Sequence, residues 1–599
     1  MRDAFCPFLR EAMEKKHPTS RMMVLLLVFT VLAVYYPALF APLCSLDDPG
    51  LYERLLNEEG ISLRRIFVPG ANGTYYRPLL DVSFLGDRFL WGLEESFMHL
   101  ENILFHLIAT LLVFAVARRV ARRLNAVSPW PPFLAGLFFA VHPINTEAVM
   151  WISARTDLLA CIFILLSMFL LLASKRSLVT TCASALCLFA ACLAKDSAIF
   201  FLPAALVFPF FNLDETAADN NLSAIFQTLR DNLPHFFVFV LSGGAYFLFR
   251  SLAFARGDLG ARQIMTDIVV SPSGDALNKG WIILKTIGFY VKKMFVPFPL
   301  NFAIVHVSDW YIILALVFLV LLTALLVRRT LIGFFFVAAA FVGASALLPP
   351  LLRMTWTPLA ERYMYIPSAF FLIGLLIAIE RPLRFTPVRR IAIFAMPCLV
   401  AVCIYGSASR GILWQDNLAL FEDCVRKSPG FVPALNQVAS AHYALGNAEE
   451  AYRIIKSIEM PENLINSQRL QFNKAVVMIA EGDTEGARVM LRELLQNPGK
   501  FEGMIIESLL QLNALDVQEG AVEKKVFYEE NTRILSRLYE ITGDPFCFYR
   551  LGRMHLSMGE RSKAADSFEQ VVAKAPPEVY YYKPAQKLLG KLSKKQERK

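Results

Sequence analysis

Apolar runs of about 17–22 residues recur through the first two thirds of the chain and stop near residue 410. A helix of that length can cross the hydrocarbon layer of a bilayer. About eleven spans are predicted, near 22–43, 97–117, 131–151, 157–174, two short runs at 178–194 and 198–212, then 234–252, 310–327, 331–348, 362–379 and 391–409. The segment 280–299 holds Lys285, Lys292, Lys293, Pro297 and Pro299, and suits a helix lying in the interface better than a span. Parity supports that choice. With eleven crossings, Arg118, Arg119, Arg122 and Arg123 share a side with Lys175-Arg176, Arg328-Arg329 and Arg381, Arg384, Arg389 and Arg390. Basic clusters mark the cytoplasmic side, which puts the N-terminus inside and the C-terminus outside. The first run is too long for a signal-peptide core and lacks a small-x-small cleavage site, so it is predicted to be retained.

The pattern changes after Arg410. Three windows share a small or apolar pair, then Gly, then Ala five residues on: Leu435…Ala439…Gly446…Ala451, Phe472…Ala475…Gly482…Ala487, and Phe548…Leu551-Gly552…Gly559…Ala564…Phe568…Pro576. The last fits the 34-residue tetratricopeptide pattern, in which small residues let two helices approach and stacked pairs bury a shared face. Residues 500–545 are predicted to hold a further, degenerate helical pair. The basic tail from Lys591 reads as a solvated end. The expected fold is therefore all-α: a polytopic helical bundle over 1–409, with its first outer loop at 44–96, then a tetratricopeptide-like α-solenoid over 410–599.

Composition agrees with this division. The chain is 56% apolar and 19% charged, with a mean hydropathy of +0.47. Residues 410–599 carry 26 basic and 25 acidic side chains, while the first 409 carry 34 and 26. Of the net charge of +9, +8 thus arises in the membrane part. It reads as topology rather than nucleic-acid affinity. A single soluble domain, a disordered chain and a secreted disulfide scaffold are excluded. Six of the ten cysteines, Cys161, Cys182, Cys187, Cys192, Cys398 and Cys403, lie in apolar runs, and no CxxC pair exists. Neither a zinc nor a redox motif is supported, and no cofactor is indicated.

Candidate chemistry gathers at the outer ends of the predicted spans. Asp47-Asp48-Pro49 follows the first, and could serve as a general base, as a metal ligand or only as a capped turn. Arg77 follows in the same loop, within Tyr75-Tyr76-Arg77-Pro78. His99, Asn102 and His106 share one helix face, either lining a cavity or bonding between helices. The two histidines stand ~10 Å apart along the axis, too far to hold one metal. His142 and Glu147, Arg155 and Asp157, Lys195-Asp196, and Glu361-Arg362-Tyr363 complete the set. Charges at membrane depth are costly, and their convergence on one leaflet predicts a polar cavity open to the outside.

These residues resemble the transmembrane O-mannosyltransferases that target cadherins, and their bacterial relatives. The resemblance rests on the acidic pair, Tyr-Arg-Pro-Leu, Trp-Gly-Leu and His-x-x-Asn-x-x-x-His. It rests further on the long block Phe139–Leu159, on Ala-Lys-Asp-Ser at 194–197, on Glu-Arg-Tyr-Met-Tyr-Ile-Pro-Ser at 361–368, and on Arg410…Trp414…Asp416 leading into repeats. It covers nearly the whole chain. One departure is Asp196, where Glu is expected in most relatives. The resemblance implies a GT-C fold and a polyprenyl-phosphate sugar donor, with Asp47 as base. Arg362, Arg155 and Lys195 would bind the donor phosphate. Asp48 would assist Asp47, and Arg77, His99, His106, His142, Glu147, Asp157, Asp196, Glu361 and Tyr363 would orient substrate. The repeats would take a protein acceptor or partner. Two rivals are a lipid-linked glycan ligase or polymerase, and a non-enzymatic membrane scaffold with a docking domain. The short repeat array and compact loops point to a bacterial inner membrane, the outside then being periplasm.

Overall fold

The computed structural model describes residues 18–46, 48, 51–52, 55, 66–67, 76–126, 128–173, 177–211, 222–255, 276–352, 357–380, 382–458, 467–496, 502–519, 524–577, 579 and 581–596. Asp47, the base expected from sequence, lies outside them. Two compact units result, Met1–Phe431 and Val432–Lys599. Among the described residues regular structure is helical throughout, apart from one isolated bridge, Ile304 to Leu359.

In the first unit the principal helices are α1 (Pro18–Tyr35), α2 (Pro78–Trp91), α3 (Glu95–Arg123), α4 (Trp130–Val141), α5 (Arg155–Leu171), α6 (Leu178–Ala194) and α7 (Leu233–Ala255). There follow α8 (Ala276–Phe295), α9 (Tyr311–Arg328), α10 (Leu331–Gly343), α11 (Tyr365–Ala378), α12 (Thr386–Leu413) and α13 (Asn417–Lys427). Among the described residues eight helices are long and apolar enough to cross a membrane, or nine if α4 and Pro143–Met150 count as one span bent by 48°. The chain is thus multi-pass. The expected eleven is not reached on length, because the runs near 178–194 and 198–212 form the shorter helices Leu178–Ala194 and Asp196–Phe210. At ~1.5 Å per residue, 17 residues reach ~25 Å, short of a ~30 Å core.

The arginines read as topology signals also satisfy backbone. Arg119 donates to the Phe169 carbonyl (2.5 Å), and Arg123 to those of Leu172 (3.1 Å) and Ala173 (2.6 Å). They take up carbonyls that the end of α5 leaves without helical partners. Helix α8 packs on α9 so closely that a Cβ on Gly288 would lie 1.7 Å from the Tyr311 carbonyl oxygen, so only glycine fits. Its lysines Lys279, Lys285, Lys292 and Lys293 set α8 apart from the apolar spans.

The second unit stacks helical pairs: α14 (Val432–Ala444) with α15 (Ala448–Ser457), α16 (Ser467–Ala480) with α17 (Thr484–Gln496), α18 (Glu502–Glu519) with α19 (Lys524–Thr542), and α20 (Phe546–Ser557) with α21 (Arg561–Lys574). Helix α22 (Tyr582–Gln596) follows the last pair and packs on it. The small residues read from sequence, Ala439, Ala451, Ala475, Ala487 and Ala564, are fully buried between helices. Gly446, Gly482 and Gly559 turn the chain within pairs at φ of 82°, 85° and 78°, a region that favours glycine. The degenerate stretch 500–545 contributes α18 and α19.

Candidate active site

The candidate residues His142 and Glu147, Arg155 and Asp157, Lys195-Asp196 and Glu361-Arg362 sit at or beside helix breaks. Helix α4 ends at Val141, because Pro143 has no N–H to continue it and His142 is extended. His142 caps the turn that follows, its Nδ1 accepting from Ile144 N (3.3 Å). Lys195 is extended between α6 and the turn Asp196–Phe200. Glu361 opens the turn before α11, after an extended Ala360. Irregular backbone at membrane depth persists only inside protein or along a cavity.

These breaks meet through ion pairs. Glu147 Oε2 accepts from the backbone N–H groups of Glu361 (3.1 Å) and Arg362 (3.3 Å), and its Oε1 pairs with the Arg362 guanidinium. Glu361 Oε1 accepts from Asn301 N (3.0 Å) and Lys293 Nζ (2.7 Å). Arg362 lies over the rings of Trp151 (4.7 Å) and Tyr363 (5.0 Å) and donates to Thr357 Oγ1 (3.3 Å). Lys195 stands 6.0 Å from the same Tyr363 ring and pairs with Asp157. Next to it Asp196 takes Arg77 (3.2 Å), Arg250 and the Tyr246 hydroxyl (2.7 Å).

Arg155 is different. Its guanidinium has no exposed surface and lies 2.8 Å from Asp87 and 3.3 Å from Glu101. It also donates to Asn102 Oδ1 (2.9 Å) and the Met98 carbonyl (2.9 Å), and stacks on Phe84 (4.5 Å). The arginine expected to hold phosphate is thus enclosed by α2 and α3. Asn102 turns its amide to the Trp151 carbonyl (3.0 Å), which ties α3 to the break. Burial and the Glu101 carboxyl raise the Asp87 pKa, with Arg155 opposing them. His106 is likewise enclosed, sharing hydrogen bonds with Tyr365 Oη (2.7 Å) and the Ala140 carbonyl (3.2 Å). His99 is buried as well, and His142 Nε2 meets the Met294 carbonyl (3.3 Å).

Asp48 is buried, with its oxygens occupied. Oδ1 accepts from Trp151 Nε1 (3.0 Å), Ser153 N (3.1 Å) and Ser153 Oγ, and Oδ2 accepts from Cys44 N (2.9 Å). A carboxylate so engaged fastens the turn after α1 to the break before α5. It braces more readily than it abstracts protons.

Sequence reasoning misses Lys293, Arg250, Asp87 and Glu101. Arg250 lies near the end of α7 as Lys195 lies at the end of α6, so the criterion of charge at a span end would find it. Lys293 carries no such signal, since in sequence it only marks an interfacial helix. Among the described residues no three of His, Cys, Asp and Glu converge as a metal site would.

Residues 546–577 match the tetratricopeptide repeat family. Protein O-mannosyl-transferase TMTC1 of Mus musculus is 36% identical over 108 residues, 18% of this chain and 11% of that protein. Protein O-mannosyl-transferase Tmtc2 of Drosophila melanogaster is 44% identical over 104 residues, 16% of this chain and 10% of its own length. Protein O-mannosyl-transferase TMTC3 of Homo sapiens is 29% identical over 151 residues, 24% of this chain and 16% of its own. The matched stretches span roughly a tenth to a sixth of these relatives. A multi-pass helical unit followed by a tetratricopeptide repeat is thus joined, in this chain, to homology with proteins named protein O-mannosyl-transferases.

Proposed function

We propose that this protein is a GT-C-type glycosyltransferase of the membrane. It moves a hexose, mannose first among the candidates, from a polyprenyl-phosphate donor to a Ser or Thr hydroxyl of a protein on the outer face. The observation that carries this reading is the gathering of partly exposed cations at the helix breaks. Arg362 and Lys195 keep 14% and 13% of their side chains accessible, and Arg77 and Arg250 about a quarter, whereas Arg155 keeps none. A sugar–phosphate–lipid diester carries one negative charge, and accessible guanidinium and ammonium edges suit its oxygens.

In the proposed step Asp47 takes the proton of the acceptor hydroxyl, whose oxygen attacks the anomeric carbon. The bond from that carbon to the phosphate oxygen breaks, and polyprenyl monophosphate leaves with the electron pair. A single displacement inverts the anomeric configuration. The leaving group is already acidic, so charge stabilisation matters more than protonation. Arg362 and Lys195 supply it, Arg362 held flat by Trp151 and Tyr363 so that its fork suits phosphate oxygens. Glu147, Asp157 and Asp196 hold the cations, while Asp48 braces the turn after α1, next to Asp47 in sequence.

The test is transfer by the full-length chain in liposomes supplied with labelled polyprenyl-phosphate mannose and an acceptor protein extract. Wild type is expected to label protein, and Asp47→Asn to lower kcat by about 10²–10⁴-fold. Arg362→Lys should lower kcat as well, since its fork stabilises the charge that develops on the leaving phosphate. Activity within a few-fold of wild type in Asp47→Asn overturns the assignment of the base. Label on glycan or lipid favours the ligase reading, and no transfer favours the scaffold.

A further inference from the structure

The segment Arg410…Trp414…Asp416 has no part in the transfer step, yet it ends against the turn that precedes the acidic pair. Arg410 donates to Asp423 Oδ2 (2.9 Å), joining the end of α12 to α13. Trp414 is buried, with ring centroids 5.6 Å from Phe302 and 6.4 Å from Trp151. Asp416 caps α13, Oδ1 accepting from Leu418 N (2.8 Å) and Ala419 N (3.2 Å). Together these fix Asn417, the first residue of α13.

The Asn417 side chain then spans the backbone after α1. Its Nδ2 donates to the Leu43 carbonyl (2.9 Å) and its Oδ1 accepts from Ser45 N (3.4 Å). Only one orientation of the amide suits a carbonyl on one side and an N–H on the other, so its placement is set by the partners. The intervening Cys44 N donates to Asp48 Oδ2 (2.9 Å). Successive backbone groups are therefore gripped alternately by Asn417 and Asp48, just before Asp47 in sequence.

We propose that Asn417 is a positioning residue for the acidic pair, holding Leu43–Ser45 so that the carboxylate following them meets the acceptor hydroxyl. The proposal rests on the reading of Asp47 as base. A displacement of about 1 Å at such a group costs about 10²-fold in rate.

The experiment uses full-length wild type, Asn417→Ala and Asn417→Gln in liposomes. It measures kcat, donor KM, thermal unfolding and deuterium exchange at the amides of residues 44–46. Asn417→Ala is expected to lower kcat by about 10–100-fold. Donor KM and the unfolding midpoint should hold, and exchange at Ser45 should rise. Asn417→Gln, which keeps both hydrogen-bonding groups, should recover part of the rate. Unchanged exchange overturns the proposal, as does unchanged kcat, or a loss of kcat that tracks a lowered midpoint. If wild type transfers no sugar, the reading of the function falls. Exchange then still decides whether Asn417 holds the turn.

Discussion

A deeply buried ion pair of the membrane unit and a surface pair of the repeats use charge in opposite ways. In the membrane unit Lys293 and Glu361 pair with 2% of either side chain exposed, and the partners come from segments far apart in sequence. In the repeat unit Arg537 and Glu540 pair with 56% and 64% exposed, one turn apart on the same helix. A surface pair of this kind contributes about 0–1 kcal/mol, since water screens it and both side chains lose freedom. A buried pair has given up the hydration of both ions, so losing one partner strands the other. The repeats hold their shape by packing small residues among aliphatic side chains and, in the last pair, against the Phe568 ring. The membrane unit instead holds irregular backbone open at its breaks with ions that cannot be removed singly.

The largest effect should follow from breaking the buried pair. Lys293→Met leaves Glu361 without its cation and is expected to cost about 3–5 kcal/mol. All seven tryptophans lie in the first unit, so thermal unfolding followed by tryptophan fluorescence reports on it. Adding Glu361→Leu should recover much of the loss. A single variant as stable as wild type would remove the contrast between the units.

The repeat unit should be more sensitive to volume than to charge. A Cβ on Gly552 would lie 2.7 Å from the Phe568 ring. Gly552→Leu is therefore expected to destabilise that helical pair by about 1–3 kcal/mol, through overpacking. Deuterium exchange over residues 546–577 should rise. Arg537→Ala, by comparison, should leave exchange in α19 unchanged.

How far this contrast is legible in sequence depends on the kind of signal. The repeat turns are readable because Gly446, Gly482 and Gly559 keep a fixed distance from the alanines that pack beside them. The charged blocks are readable because each interrupts an apolar run. What each charge faces is not. Arg155 and Arg362 look alike in sequence, but only Arg155 is closed in, by Asp87 and Glu101 from α2 and α3. Asp48 looks like a partner in catalysis, but Trp151 and Ser153, a hundred residues away, occupy it. The span count differs where apolar runs are long enough to attract notice but end early at Lys195-Asp196.

The smallest effect is a difference in acid sensitivity. Burial alone would raise the Asp423 carboxyl, but Lys427 (2.7 Å) and Arg410 (2.9 Å) hold it below the ordinary carboxylate value. In the repeats Lys563, then His555, hold Glu560 down as well, on a carboxyl that keeps 32% of its side chain exposed against 12% for Asp423. A depressed carboxylate pKa means that the unfolded chain binds the proton first as pH falls. The stability from each group is therefore complete above its unfolded pKa, near about 4, and is lost as pH drops through the lower folded value. Asp423→Asn should remove part of the acid sensitivity of the tryptophan transition between about pH 5 and pH 3, on the order of 1 kcal/mol. Glu560→Gln should change the repeat unit less, because water already screens that pair. If the two variants lose acid sensitivity equally, burial is not what separates the ions of the membrane unit from those of the repeats.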